Sequence, residues 1–453
     1  MIGLVVDVGD GADASEISGA VSAVSAAGGG TVRLARNGTY GPFSTSVRLK
    51  DNVTLDGRWS TIYQDPEAEA FRLIVNDDTT NGNSGIALTR LYLDGGRQNL
   101  TTPRPWAADR VYARGQEVIN QAGLAIYRCI RGGKSGSEIP SGTADYIRDG
   151  SVRWAYVCPL WVPGADLVYL TKCRDSSVTA AVRNSRNNGV IIEGGVDVDG
   201  ENPCNNIVVH VSAYDCNKGG VYLSSARGVT GRIRAARHFM GVAVACTRGS
   251  RLTVWARDNT YANGLLLGRD TQDCAFICDV DGINTAVEHI SSAPLALHGH
   301  VYPDNPLLVY GITGCTITGI VRRGVVALRK SFENTLTGLR METAGAADDV
   351  SSPHAIDLQG SSRNTITGFW AYDTHETGYG VALEPYVDAD GSTLTSNDNV
   401  IEYGKITDNR APKTSLGVGV VDGCAGNIVR HNRSEVPYVF LDVSTVDEDN
   451  EIV

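Results

Sequence analysis

The sequence has few of the large Met and Phe side chains, with 3 Met and 7 Phe among 453 residues. It also lacks an apolar run long enough to span a membrane. Its start, MIGLVVDVGDGAD, has neither the basic nor the apolar region of a secretory signal peptide. Positive charge is scarce as well, since the formal net charge is −11 at pH 7. These absences argue against membrane insertion and against a nucleic acid as partner.

Metal-binding and redox motifs are absent from the pattern of the 10 cysteines. No CxxC pair occurs, and Cys274 and Cys278 lie four positions apart on a predicted strand. Cysteine is a small residue that is often buried, so packed free thiols are favoured over a disulfide or metal framework. Such thiols fit synthesis in a reducing cytosol, and no metal or cofactor is predicted. The thiols predicted to pack in or near the core are Cys173, Cys216, Cys246, Cys315 and Cys424.

Glycine is abundant, at 52 residues, and a repeat organises the middle of the chain. Residues 205–282 form four successive lines, each with an alternating apolar run, a polar turn and a second apolar run. Val211, Ile233, Val254 and Ile277 hold the same place in these lines, at separations of 22, 21 and 23 residues. This period is typical of a solenoid, in which stacked repeats bury a continuous core.

Alternation within the first run of each line predicts which side chains face the core. The predicted inward residues are Ile207, Val209 and Val211, then Ile233 and Ala235, then Leu252 and Val254, then Ala275 and Ile277. Weaker copies of the pattern continue toward the C-terminus, several of them preceded by an asparagine suited to a turn. We therefore predict an all-β fold, a right-handed parallel β-helix of roughly a dozen rungs, where a rung is one turn of the solenoid.

The N-terminal 40 residues depart from this repeat. An amphipathic helix is predicted from Ser15 to Ala27, and glycines at positions 28–30 end it. This helix would cap the open end of the solenoid, which otherwise exposes strand edges. The pattern GDGADAS…GGGTV…GTY resembles the N-terminal segment of pectin-lyase-like β-helix proteins, especially bacteriophage tailspikes.

The resemblance to tailspikes carries expectations about assembly and function. It implies a homotrimer of side-by-side β-helices that binds a bacterial surface polysaccharide, either a capsule or an O-antigen. It also implies a location on the virion tail after synthesis in the host cytoplasm. These expectations rest on the N-terminal motif and on the repeat, and not on composition.

Residues 98–163 interrupt the repeat and contain three of the six tryptophans. We predict three domains: the cap and first rungs (1–97), a small all-β insert (98–163) and the main β-helix (164–453). The insert resembles small chitin-binding-type carbohydrate-binding modules, whose aromatic rings stack on sugars. The alternative is that its aromatics form a minimal core, since small domains need large side chains. The residues that carry the resemblance are Trp106, Tyr112, Gly115, Val118, Tyr127 and Trp154.

Alignment of the rungs brings charged residues together at the end of the first strand. Asp215, Asp258 and Asp281 fall in one column, with Arg237 and His238 between the first two. Hydrolysis of a glycosidic bond needs an acid, a base and a place for a sugar ring, so these five are the predicted catalytic residues. The alternative is that each aspartate forms a turn. The predicted substrate-binding residues are Tyr214, Arg234, Trp255, Arg257 and Glu193.

The leading hypothesis is an endo-glycosidase that depolymerises a surface polysaccharide. A polysaccharide lyase is the first alternative, in which His298, His300 and Tyr302 would serve β-elimination on a uronic acid. A non-catalytic adhesin that only binds glycan is the second alternative. The acidic net charge disfavours an anionic polymer unless some arginines gather into a local basic patch. The arginines considered for such a patch are Arg234, Arg237 and Arg257.

The loop GGVDVDGENP follows a predicted second strand and would overhang the groove. It contains Asp197 and Asp199, whose Asp-x-Asp spacing is by itself weak evidence for calcium. The sequence therefore predicts substrate contact from this loop and no metal.

Overall fold

The computed structural model describes most of the chain. The described residues are 3–96, 104–120, 125–144, 146–159, 161–195, 203–238, 240–258, 264–268, 270–281, 295–298, 311–322, 326–342, 354–372, 378–387, 390–409, 416–441 and 444–452.

The N-terminal part contains one helix and seven strands. These elements are β1 (Leu4–Val8), α1 (Ala14–Ala26), β2 (Gly30–Leu34), β3 (Thr39–Phe43), β4 (Val47–Leu49), β5 (Val53–Gln64), β6 (Ile74–Asn76) and β7 (Ala87–Asp94). The region of the predicted insert contains β8 (Arg104–Pro105), β9 (Val111–Tyr112), β10 (Glu117–Asn120), β11 (Ala125–Arg131), β12 (Gly133–Lys134), β13 (Ile147–Asp149) and β14 (Val152–Pro159).

The remaining strands build the main solenoid. Its first half contains β15 (Val168–Thr171), β16 (Arg174–Arg183), β17 (Val190–Glu193), β18 (Cys204–Tyr214), β19 (Gly219–Arg227), β20 (Thr230–Ala236), β21 (Met240–Arg248), β22 (Arg251–Arg257), β23 (Leu265–Gly268), β24 (Ala275–Asp281), β25 (Leu295–His298), β26 (Thr316–Arg322) and β27 (Val326–Arg329). Its second half contains β28 (Thr335–Thr337), β29 (Arg340–Glu342), β30 (Ile356–Gln359), β31 (Thr365–Thr367), β32 (Trp370–Tyr372), β33 (Tyr379–Glu384), β34 (Tyr386–Val387), β35 (Thr393–Leu394), β36 (Val400–Glu402), β37 (Lys405–Thr407), β38 (Leu416–Val420), β39 (Ile428–Arg430), β40 (Arg433–Ser434), β41 (Val439–Phe440), β42 (Val446–Glu448) and β43 (Glu451–Ile452).

Strands one rung apart pair in parallel, and 34 of the strands in the described ranges join into one sheet. Val211 of β18 lies opposite Ile233 of β20, which lies opposite Val254 of β22, as the repeat predicts. The inward side chains of successive rungs form one apolar core that runs from the N-terminal helix to the last rungs. The predicted parallel β-helix is confirmed. No rung could bury its apolar face alone, so the stack is the folding unit.

The predicted register of β24 is wrong by one residue. Cys278, and not Ile277, lies opposite Val254. Ile277 is 56% exposed, whereas Phe276 and Cys278 are buried. The segment offers two alternating apolar sets, Ala275 with Ile277 and the set that contains Phe276. The second set buries more apolar area, and a slip of one residue exchanges the two faces.

The helix α1 closes the N-terminal end of the core. The Asp13 carboxylate accepts hydrogen bonds from the backbone N–H groups of Ser15 (2.8 Å) and Glu16 (2.9 Å), and the Glu16 carboxylate accepts one from the Asp13 N–H at 2.8 Å. This capping box fixes where the helix begins. The helix packs against β1, β2 and β4 through buried side chains, namely Ile17, Val21 and Val24. The predicted capping helix is confirmed to within one residue at each end.

A row of buried asparagines supports the corners of the later rungs. The Asn334 Nδ2 donates to the Asn364 Oδ1, Asn364 donates in the same way to Asn399, and Asn399 to Asn427, each at 3.0 Å. The same oxygens also accept backbone N–H groups of the preceding rung, as in Asn334 N–H to Asn364 Oδ1 at 3.0 Å. We call these four residues the asparagine ladder. Its members satisfy backbone groups that the turns leave unpaired.

Strands β8–β14 pair only with one another among the described residues. Their core contains Tyr112, Val118, Tyr127 and Trp154, which are all buried. The indole N–H groups of Trp106 and Trp154 both donate to the Asp149 Oδ2, at 2.8 and 3.1 Å. The aromatic set that suggested sugar binding is therefore mainly the core of this small unit, which favours the alternative that these rings form a minimal core. The cause is size, since so few residues bury enough area only with large rings.

Two further observations concern composition. The nine cysteines whose side chains are described are buried and form no disulfide with one another. The helix in the described part of the chain is too short to cross a membrane.

Candidate functional site

Asp215, Arg237 and Asp258 lie at the same corner of three successive rungs. All three have left-handed backbone conformations, with φ of 56°, 62° and 53°. The Arg237 guanidinium donates two hydrogen bonds to the Asp215 carboxylate, Nε to Oδ1 and Nη2 to Oδ2, both at 2.6 Å. These bonds to Asp215 are the main reason why the pKa of Arg237 is raised. The corner therefore combines turn formation with an ion pair between neighbouring rungs.

His238 follows this corner but points into the solenoid. It is fully buried, and its Nδ1 accepts the backbone N–H of Cys216 at 3.0 Å, while its Nε2 lies 3.0 Å from the carbonyl oxygen of Ala213. Burial lowers the pKa of His238 to about 4, so the ring is neutral at pH 7. Both ring nitrogens contact backbone groups, and His238 does not line the cleft, so this histidine braces the turn.

Asp258 stays in the predicted catalytic column, two rungs from Asp215, whereas Asp281 does not. Asp258 is exposed at its corner. Because of the register shift in β24, Asp279 lies opposite Trp255, and Asp281 lies opposite Arg322. Asp281 therefore leaves the predicted column, and its side chain is outside the described residues. Asp373, which sequence alignment places in the same column, is outside them too.

The predicted substrate-binding residues on the first strands do share one outward face. Arg234 lies opposite Trp255, and the Arg257 guanidinium stands 4.9 Å from the Trp255 ring centroid. Arg257 also donates to the Asp279 carboxylate at 3.0 Å. Tyr214 lies beside the corner, with the Arg237 guanidinium 5.5 Å from its ring. Sequence reasoning therefore brought an aromatic and basic surface together correctly.

A cleft of about 330 Å³ opens on the other outward face, along the second strands. Thr171, Glu193, Ser224, Ala245 and Gly268 occupy equivalent positions on β15, β17, β19, β21 and β23. Because the side chains become small after Glu193, this row leaves a hollow. Its charged lining is Arg72, Asp166, Glu193 and Lys218, and its apolar lining includes Ile191, Tyr222, Met240, Ala243 and Leu266. We call this space the cleft.

Asp166 is the most perturbed carboxyl group in the cleft. Its Oδ1 accepts the Asn187 Nδ2 at 2.8 Å and the Asn188 backbone N–H at 3.1 Å. Its Oδ2 is buried without a hydrogen bond to the described residues and lies 3.5 Å from the Arg72 Nε. Burial raises the pKa of Asp166, against the smaller opposing effects of Asn188 and Arg72. The carboxyl group thus holds its proton to a higher pH than an ordinary aspartate.

Lys218 lines the cleft, and Tyr169 packs against one of the lining residues, Arg72. Burial lowers the pKa of Lys218, although Asp166 and Glu193 oppose that shift. Burial also raises the pKa of Tyr169, and the charge of Glu193 adds to the effect. The Arg72 guanidinium lies 3.3 Å from the Tyr169 ring centroid. Four charged groups, Arg72, Asp166, Glu193 and Lys218, therefore line one concave, partly desolvated space, which is typical of functional sites.

Sequence reasoning found Glu193 but missed its neighbours in the cleft. Asp166, Lys218 and Tyr169 stand at the start of second strands, and the rung alignment used only first strands. The signal was present, because aligning the second strands places Tyr169, Ile191 and Tyr222 in one row. The histidine alternative cannot be placed, since the side chain of His298 and residues 299–310 are outside the described residues. Asp197 and Asp199 lie outside them as well.

Among the described residues, no three His, Cys, Asp or Glu side chains gather closely enough to hold a metal ion. A carboxyl group with a raised pKa beside a second carboxylate can donate and accept a proton, and Lys218 with Tyr169 can do so by another route.

Comparisons with known proteins identify the fold. No protein-family model and no curated protein matches the chain. Among solved structures, it is similar to the A-module of mannuronan C-5 epimerase AlgE4 from Azotobacter vinelandii, with 15% identity, a TM-score of 0.54, and coverage of 98% of this chain and 97% of that one. The N-terminal fragment of bacteriophage phi29 gene product 12 gives 13% identity and a TM-score of 0.58, with coverage of 94% and 64%.

The catalytic unit of an α-1,3-glucanase of family GH87 from Streptomyces thermodiastaticus is a third similar structure. It gives 12% identity and a TM-score of 0.50, with coverage of 97% of this chain and 69% of that one. At such low identities the similarity shows a shared β-helix fold, and it does not transfer an activity.

Proposed function

We propose that this protein hydrolyses a bacterial surface polysaccharide in the cleft. Asp166 would donate the proton to the leaving oxygen, and Glu193 would act as the second carboxylate. The observation that carries this proposal is the raised pKa of a buried carboxyl group in a concave space that a second carboxylate also lines. Tyr222 lines the same space and supplies an aromatic surface for a sugar ring. The fold supports the substrate class, since an epimerase of mannuronan and a glucanase share it.

The strand-end carboxylates are the second place for the reaction. Asp258 is exposed and has the freedom to meet a substrate. Asp215, by contrast, is held by both bonds to Arg237, so the guanidinium already occupies both of its oxygens. The cleft is therefore preferred over this corner as the site of acid and base catalysis.

Elimination is the alternative reaction class, and one observation favours it. Lys218, whose pKa is lowered by burial, shares the cleft with Arg72, against which Tyr169 packs. A lysine of this kind can remove a proton beside a carboxylate, and arginine can neutralise the carboxylate of a uronic acid. The same cleft would then act as a lyase.

Mass spectrometry of products from a panel of capsules and O-antigens tests the proposal. Hydrolysis adds one water to each cleaved bond, so we expect products heavier by that water. Elimination leaves an unsaturated sugar that absorbs ultraviolet light, and this result would replace the proposed reaction by the alternative. Binding of a glycan without any cleavage would leave the adhesin as the function.

The proposed assembly is a homotrimer located on a virion tail. The support is the tailspike-like N-terminal motif and an exposed aromatic pair near the N-terminus, Trp59 and Tyr92, whose ring centroids lie 6.1 Å apart. Exposed rings of this kind are common at protein interfaces. Sedimentation at micromolar protein should give the mass of three chains, and a stable monomer would contradict the assembly.

A further inference from the structure

We propose that the outward face of β20 and β22 binds an anionic polysaccharide, at a site separate from the cleft. Arg232 and Arg234 alternate on β20 and point outward with their neighbour Arg251 at the start of β22. All three are exposed. We call Arg232, Arg234 and Arg251 the arginine patch.

The three arginines of the patch have no acidic partner among the described residues, unlike other arginines on the same face. Arg237 is paired with Asp215, and Arg257 with Asp279. Within the part of the chain that the structure describes, the patch arginines make no ion pair or hydrogen bond through their side chains. Like charges on adjacent strands repel, so three unpaired arginines in one place cost folding free energy.

This concentration of positive charge contrasts with the protein as a whole. The chain has a net charge of −11, so acidic partners for surface arginines are plentiful in its composition. No acidic residue lies directly opposite Arg232, since His210 lies on one side of it and Thr253 on the other. Both of these residues are exposed. Asp279, on the outward face of β24, is already paired with Arg257 and Arg322. An anionic ligand would relieve the repulsion that the sequence leaves in place.

An aromatic ring beside the patch indicates that the ligand is a sugar polymer. Trp255 lies directly opposite Arg234 and is half-buried, with Arg257 held against its ring. A tryptophan fixed in this way can stack on a sugar ring while neighbouring guanidinium groups bind carboxylate, sulfate or phosphate substituents in bidentate fashion. Rungs are about 4.8 Å apart, so a chain lying along the solenoid axis meets one strand after another.

The patch and the cleft lie on different faces of the solenoid, since one is built on first strands and the other on second strands. The inference therefore does not rest on the proposed hydrolysis. A binding measurement without any cleavage step tests it alone, and its failure would leave the cleft proposal untouched.

The experiment compares binding of the full chain to polygalacturonate, to neutral dextran of similar length and to single-stranded DNA, by calorimetry at two salt concentrations. The test variant changes the three patch arginines together, Arg232→Gln, Arg234→Gln and Arg251→Gln. We expect polygalacturonate to bind at least roughly tenfold more weakly to this variant, because three charge contacts are lost. Trp255→Ala should weaken binding as well, with the melting temperature nearly unchanged.

A matched control carries the same change of charge elsewhere. Arg36, Arg114 and Arg148 are exposed and lie outside β20, β22 and the strands next to them, so the triple Gln variant of these residues should bind polygalacturonate as the wild type does. Equal weakening in both triple variants would overturn the site, since the effect would be general charge. Dextran bound as tightly as polygalacturonate would overturn the anionic class. DNA bound more tightly than polygalacturonate, and lost in the patch variant, would replace the glycan by a nucleic acid.

Discussion

On the outward face of the first strands the Asp215 side chain is 32% exposed and is paired with Arg237, whereas in the cleft the Asp166 side chain is 1% exposed and one of its oxygens has no hydrogen bond to the described residues. The two carboxylates belong to similar corners of the same solenoid. Their difference comes from what surrounds each one, open solvent and a guanidinium in one case and a buried hollow in the other. Acid and base chemistry needs a perturbed proton affinity, which the repeat itself does not supply.

The largest expected effect is on the rate of cleavage, which should fall when a carboxylate of the cleft is changed and not when one at a strand end is changed. Glu193→Gln keeps the size of the side chain but cannot exchange a proton, so it should slow cleavage by about 10²–10⁴-fold. Initial rates of release of new reducing ends measure this effect, with circular dichroism to confirm the fold.

The matched control for that variant is Asp258→Asn, which makes the same change at an exposed corner. We expect its rate to stay within about twofold of wild type. The reverse order, a lost rate in Asp258→Asn and a normal rate in Glu193→Gln, would move the reaction to the first-strand face and return it to the original sequence prediction.

The next effect concerns stability and the histidine that sequence reasoning assigned to catalysis. His238 has a pKa of about 4 in the folded protein and an ordinary value of 6.5 when unfolded. Between pH 6.5 and pH 4, His238 is therefore protonated in the unfolded chain and neutral in the folded chain. We expect about 3 kcal/mol of stability to be lost as the pH falls from 6.5 to 4. Urea unfolding at pH 7 and at pH 4.5 measures the loss.

His238→Gln should be less stable than wild type at pH 7, because it disturbs two backbone contacts, and should show a shallower fall toward acid. An identical pH dependence in both proteins would mean that His238 is accessible in solution and does not brace the turn.

The smallest expected effect is on the stability of the Arg237 variant, since the exposed ion pair of Arg237 and Asp215 contributes at most about 1 kcal/mol to the free energy of unfolding. Arg237→Gln should accordingly shift the urea midpoint only slightly at either pH.

The fold was predictable because the same apolar alternation recurs in rung after rung at a nearly constant period. The positions of Val211, Ile233 and Val254 were right since alternation and period agree there. The position of Ile277 was wrong because its segment contains two apolar sets and only tertiary packing chooses between them. Pattern fixes the architecture, and side-chain volume decides the local register.

The candidate site was less predictable for a physical reason. Charged residues at strand ends are visible in an alignment, but burial is not, and burial turned His238 inward and perturbed Asp166. The hollow around Glu193 depends on small residues one, two and three rungs away, such as Ala245 and Gly268. Those positions give no signal in the sequence, because alanine and glycine have no polar or ionisable side chain.

The asparagine ladder has a consequence for how the later rungs find their places. Its members are separated by 30, 35 and 28 residues, so they hold one alignment in space across unequal lengths of chain. A strand that slipped by one residue would leave two buried amides unsatisfied, at a cost of about 1–3 kcal/mol each. The ladder therefore stabilises each rung only in its native register relative to the previous rung. Every amide of the ladder donates in the same direction along the stack, so the row of hydrogen bonds has a polarity. A rung added in a shifted register would break this row.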